Sequence, residues 1–207
     1  AVPNSYRFNH VVGNDLVFKK WEGKDIPRLN CLCWGTSFQL VYPLTGDQST
    51  TPEVVWETFV DSWVRIFGMP EIIVMDPGTE FKAHFAEMCN RNCTVVLPTD
   101  PRAPWQNGRT ERQGNEWKAQ LMLAIAKEAP NDYREWRTLG LRCCSARNQY
   151  QKRSGISPHQ RVFGMSMRLP GSLLSDDLID PCYMYDDPNT QFARDAELRQ
   201  AATRTWA

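Results

Sequence analysis

The sequence predicts an α/β fold with most of its strands gathered first, and three observations point there. The elements read in the order β-β-β-α-β-α-β-α-α, the pattern of a mixed sheet that opens with antiparallel hairpins and continues through helical crossovers. Short runs rich in Val, Ile, Leu and Phe, such as HVVGNDLVFK at residues 10–19, have strand composition. Between them Val55, Phe59, Trp63 and Phe67 recur at spacing four, which gives one apolar helix stripe. Hydrophobic residues at 42% and charged residues at 23% supply a core of ordinary globular kind.

Taken in order, residues 1–9 read as an extended lead-in and 10–19 as the first strand. WEGKD follows as a turn. Residues 28–34 and 37–43 read as two further strands, joined tightly at Gly35. Thr51 is placed to cap a helix, with Pro52 at its first position, and Gly68 ends it. Residues 71–76 (EIIVMD) form a short apolar run closed by an acid, as in a buried strand. Residues 79–90 read as helix and 93–97 (CTVVL) as a strand. PTDPRAPWQNG, at 98–108, is loop by composition, with three prolines and a glycine. Helices follow over about 110–127 and 132–149. Beyond Ser154 the chain breaks into turns, then an acidic piece at 175–187 and a solvated helix over 191–206. The expected organisation is a lead-in (1–9), a core (10–150) and a helical or irregular extension (151–207).

Lys+Arg and Asp+Glu are both 24. The zero balance argues against a protein that coats nucleic acid along its whole surface, while leaving room for a local basic face beside an acidic site. The seven cysteines are odd in number and contain no CxxC pair, so free thiols in a reducing compartment, nuclear or cytoplasmic, are expected. No apolar run reaches 18 residues and no signal segment opens the chain, so no membrane association is expected. The first residue is Ala, not Met, which points to a piece of something longer.

Three acids sit at element edges. Asp15 lies in the first strand, Asp76 closes the fourth, and Glu111 opens a long helix after the Pro/Gly loop. Ligands of open α/β sheets gather beyond the carboxyl ends of strands, and carboxylates are the hard oxygen donors that Mg²⁺ or Mn²⁺ prefers. Two such ions about 3.5–4 Å apart suit in-line displacement at a phosphodiester. Each acid also has a plain structural reading: Asp76 as a turn cap before Pro77-Gly78, Glu111 as a partner of the helix dipole.

The segments around these acids carry a resemblance. IVMDPGTEF (73–81) resembles the D-x-G-x-E-F segment of retroviral and long-terminal-repeat retrotransposon integrases. APWQNGRTERQGNEWK (103–118) resembles their P-x-x-N-G-x-x-E-R segment, and VGNDLVF (12–18) their first-strand segment. Thirty-four residues separate Asp76 from Glu111, close to that family's separation. SPHQRVFGMSMRLP (157–170) is similar to the segment after the core in gypsy-like polyproteins. The resemblance covers roughly residues 10–170. Asn14, Pro77, Trp105 and Gln106 depart from the family pattern without removing an acid.

The resemblance implies a ribonuclease H-like fold, a five-stranded mixed sheet flanked by helices. It implies a catalytic and metal-binding triad of Asp15, Asp76 and Glu111 holding two Mg²⁺ or Mn²⁺ ions. The activity implied is DNA integration, by 3′-end processing (an endonuclease step) and strand transfer. It implies DNA contacts from Asn107, Arg109, Arg112, Asn115 and Lys118, a homo-oligomer, and origin in a polyprotein. The family's upstream His-His-Cys-Cys zinc module has no counterpart: His10, His84 and His159 lack zinc spacing to any cysteine pair, so no zinc is expected. A catalytically dead or domesticated core that only binds nucleic acid is the competing function, and a nuclease of the same fold is a third.

Overall fold

A computed structural model of the chain describes residues 7–44, 49–76, 78–81, 84–99, 107–150 and 155–165, with Leu198, Ala201, Ala202 and Thr205. The expected acidic piece at 175–187 and nearly all of the expected last helix lie outside the described residues. The chain divides into two compact units, 1–118 and 119–207.

The first unit holds a five-stranded sheet in the order β3-β2-β1-β4-β5. β1 (Val11–Trp21), β2 (Lys24–Cys33) and β3 (Gln39–Pro43) form an antiparallel meander. Glu22 and Gly23 make its first turn, both with positive φ, which matches the right-handed twist of the flanking strands. The expected WEGKD turn thus shrinks to two residues, and both strands grow into it. β4 (Ile72–Met75) pairs parallel to β1, and β5 (Val95–Pro98) parallel to β4. Val11, Val12, Val17, Leu29, Leu32, Ile73 and Val74 are buried, which is why these runs form the centre of the sheet.

The first helical stretch begins with α1 (Pro52–Phe59), passes through a π-helical turn (Val60–Val64) and ends as α2 (Arg65–Phe67). Its stripe at spacing four explains the π turn. A strict period of four drifts around a helix of about 3.6 residues per turn, and a wider turn brings the stripe back. Val55, Phe59 and Trp63 are accordingly all buried. Thr51 stands at the N-cap but makes no side-chain capping bond. Arg7–His10 bend into a turn where an extended lead-in was expected. Asn9 takes positive φ there, donates to the carbonyls of Phe67, Gly68 and Met69, and accepts from Trp63 Nε1 at 2.9 Å.

The expected helix over 79–90 is described as a 3-10 turn (Thr79–Phe81) and α3 (His84–Arg91). α4 (Gly108–Glu128) carries a buried stripe through Thr110, Gly114, Trp117, Leu121 and Ala124. Trp117 is covered by the Arg28 guanidinium, 5.2 Å from the ring centroid. The second unit contains the end of α4, α5 (Tyr133–Tyr150) and α6 (Pro158–Phe163). α6 falls where turns were expected. Ser157 and Gln160 cap it reciprocally, a pairing visible in sequence as S-x-x-Q. The six described cysteines are free, and all but Cys93 are buried. Among the described residues no helix is long and apolar enough to cross a membrane.

Candidate active site

The sheet itself brings the first two acids together. β1 and β4 run parallel, with Asn14 opposite Met75 as their last registered pair. One step further along both strands stand Asp15 and Asp76. Adjacent strands lie about 4.8 Å apart, so these acids are neighbours through backbone pairing alone. Asp76 follows the last residue of β4, at its carboxyl end. Its Oδ1 accepts from Thr99 Oγ1 at 2.8 Å and Asn107 Nδ2 at 3.3 Å, and these two donors fix the orientation of the carboxylate.

The third acid arrives on a helix. Glu111 lies in the first turn of α4, and that turn is pinned to the sheet. Asn30, the register partner of Asp15, donates to the Thr110 carbonyl at 3.2 Å and accepts from Gln39 Nε2 at 2.7 Å, with both amides fully buried. Trp34 Nε1 donates to Thr110 Oγ1 at 3.2 Å. Two glycines allow this approach. A Cβ on Gly13 would meet Thr110 Oγ1 at 2.0 Å, and one on Gly114 would meet Val17 Cγ1 at 2.9 Å. Both distances lie far inside van der Waals contact, so helix and strand meet this closely only because those side chains are missing.

The electrostatics follow from this crowding. The Asp15 carboxyl is pushed up to about 7, first by burial and then by the charges of Asp76 and Glu111; the Leu16 backbone N–H and Lys118 pull it down less. Negative charge is thus concentrated in a partly desolvated place. Such a set of hard oxygen donors fits a divalent cation, which would relieve the repulsion directly. Among the described residues, however, no three His, Cys, Asp or Glu side chains are gathered into one metal-holding group. Asp15 and Asp76 stand one step beyond the last registered pair of β1 and β4, and both Asp76 and Glu111 act on Asp15 through their fields.

The remaining expected contacts spread over the start of α4. Asn107 is fully buried, and its amide reaches Asp76 and, at 3.5 Å, the Asn14 carbonyl. Arg109 is half-buried and donates to Ser37 Oγ at 3.2 Å. Arg112 and Asn115 are exposed and Lys118 half-buried. Glu111, Asn115 and Lys118 share one face at helical spacing. Thr99, Asn30, Gln39, Gly13 and Gly114 carry no sequence signal that sets them at the site. Only the strand register makes Asn30 and Gln39 partners, and a glycine inside a strand, the one available sign at Gly13, marks close backbone approach in general.

The sequence matches no protein-family model and no curated protein. Solved structures do resemble it. The HTLV-2 integrase catalytic core domain in complex with magnesium, in a trimeric form, superposes with a TM-score of 0.62 at 17% identity, over 75% of this chain and 97% of that one. Its dimeric form gives 0.60 at 17%, over 74% and 95%. A chain of the simian T-cell lymphotropic virus intasome in complex with PP2A regulatory subunit B56 gamma gives 0.69 at 14%, over 87% of this chain and 62% of that one. The likeness establishes the fold as the expected ribonuclease H-like one, a five-stranded mixed sheet flanked by helices.

Proposed function

We propose that this chain is the catalytic core of a retroelement integrase, a metal-dependent polynucleotidyl transferase that performs DNA 3′-end processing and strand transfer. The observation that carries the reading is the parallel register that lines up Asp15 with Asp76, joined to a helix docked so that Glu111 bears on Asp15. The sequence segments around all three acids support it, as does the fold shared with integrase cores. The segment at 157–170 supports a gypsy-like retrotransposon source.

In this reading Asp15, Asp76 and Glu111 hold two Mg²⁺ or Mn²⁺ ions. Bound there, the ions supply Lewis acidity at the phosphodiester and stabilise the charge that develops on its oxygens. The HTLV-2 core was solved with magnesium, which supports that choice. Asn107 and Thr99 orient Asp76 from Oδ1. Arg109, Arg112, Asn115 and Lys118 line the approach of the DNA backbone. Residues 10–150 form the catalytic core and 151–207 its extension, within a longer polyprotein and a homo-oligomer acting on donor ends and target DNA.

One observation favours a second reading, an inactive core that binds nucleic acid: the absence of a closed metal-holding group among the described residues. Incubation with Mn²⁺ and a labelled donor duplex separates the two. Joined products are expected. Hydrolysis without joining would replace integrase with a nuclease, and binding without any product would leave the inactive core.

A further inference from the structure

α4 runs along β1 in the same direction, and the contacts march in step. Gly13 meets Thr110, and Val17 meets Gly114. The next same-face residue of β1 is Lys19, since strand side chains alternate. One helical turn beyond Gly114 is Lys118. The Lys118 charge is close enough to bear on Lys19: the Lys19 amine is pushed down, first by burial and then by Lys118. Lys118 also bears on Asp15. Both side chains are half-buried. Neither makes a hydrogen bond or an ion pair with any described residue.

Two like charges held together and partly desolvated, with no ion pair to a described residue and only the field of Asp15 on Lys118 to offset them, favour an anion that joins them. We propose that Lys19 and Lys118 form a two-lysine grip for a backbone phosphate of the DNA strand, flanking the phosphate presented to the carboxylates. Lys118 alone is an ordinary helix lysine at the site. Lys19, on the strand, makes it a grip and fixes the position of the DNA along β1. This deepens the function proposed above and rests on it for the identity of the anion. Lys19 is a positioning residue, acting on the substrate strand away from the reacting phosphate.

The test is the salt dependence of binding to a short fluorescein-labelled DNA duplex, measured in chelator so that no reaction occurs. Removing one lysine–phosphate interaction lowers the slope of log K against log salt by about 0.9. Lys19→Met and Lys118→Met are each expected to lower it by about that much, and Lys19→Arg to keep it. Lys20→Met removes the same charge one residue away on the opposite face of the sheet, and its slope is expected to match the wild type. Bound DNA should also protect Lys19, and not Lys20, from acylation by an amine-reactive reagent, a readout that needs no variant to fold. An unchanged slope in Lys19→Met, an equal fall in Lys20→Met, or equal acylation of Lys19 with and without DNA would overturn the grip. Joined products in Mn²⁺ with an unchanged Lys19→Met slope sink the grip alone. A lowered slope with no product in the wild type sinks the transferase reading and leaves the grip standing.

Discussion

The two halves of the acidic site are built in opposite ways. Asp15 and Asp76 meet because two parallel strands are in register; the side chains around them contribute only orientation. Glu111 reaches the site because a helix start is fastened to the sheet through Asn30, Gln39, Trp34 and two absent side chains. The first arrangement depends on backbone pairing and tolerates changes in packing. The second depends on individual buried atoms, and one methyl group is enough to disturb it.

The largest effect tests what the two halves share. Asp76→Asn and Glu111→Gln are each expected to reduce joined product by roughly 10³-fold or more, the scale seen when one member of a unit of catalytic groups is removed, with the circular dichroism spectrum unchanged. Normal activity in either variant removes that acid from the site. The next test sharpens the strand half. Asp15 in the folded chain titrates near 7, against 3.8 for the free side chain. The folded state therefore holds this proton more tightly, so the stabilisation is fully present below about pH 4 and is lost as pH rises through 7. In chelator, the wild type should lose Tm between pH 4 and 8, and Asp15→Asn should flatten that loss by roughly 2–4 kcal/mol. Adding Mg²⁺ at pH 8 should restore the wild type and not the variant. Parallel pH curves for the two proteins would remove the raised Asp15 titration, from burial and from repulsion alike. The smallest effect addresses the helix half. Gly13→Ala forces a methyl into Thr110 and is expected to cost about 1–3 kcal/mol, the usual range for overpacking. Joining should fall while the Asp15–Asp76 pairing and its pH signature survive. If Gly13→Ala abolished the pH signature as well, the two halves would not be separable.

The same contrast explains what is legible in the sequence. Strands, helices and their order follow from hydrophobic period and from turn residues, which are local signals, and the observed ends of β3, β5 and α5 lie within a residue or two of expectation. Asp15, Asp76 and Glu111 are picked out because each sits within a recognisable segment, with Asp76 just past a strand end and Glu111 in the first turn of a helix. The helix fastening is not visible, because Asn30 and Gln39 become partners only once β2 and β3 are in register, and the space at Gly13 exists only once α4 lies on β1. Lys19 looks like any strand lysine until Lys118 stands opposite. The π turn is hidden because a spacing of four is compatible with an ordinary helix over a short window. α6 has a local signal in Ser157 and Gln160, but the Gly and Pro residues around it point to turns.

The parallel ladder has a consequence for how this chain can change. Alignment of β1 with β4 fixes where the two aspartates end up, so the length of chain between them carries no geometric information. Insertions outside the paired segments, in the connection before α1, would leave the acids where they are. Deleting one residue inside Ile72–Met75 would turn Asp76 to the other side of the sheet, since side chains alternate along a strand.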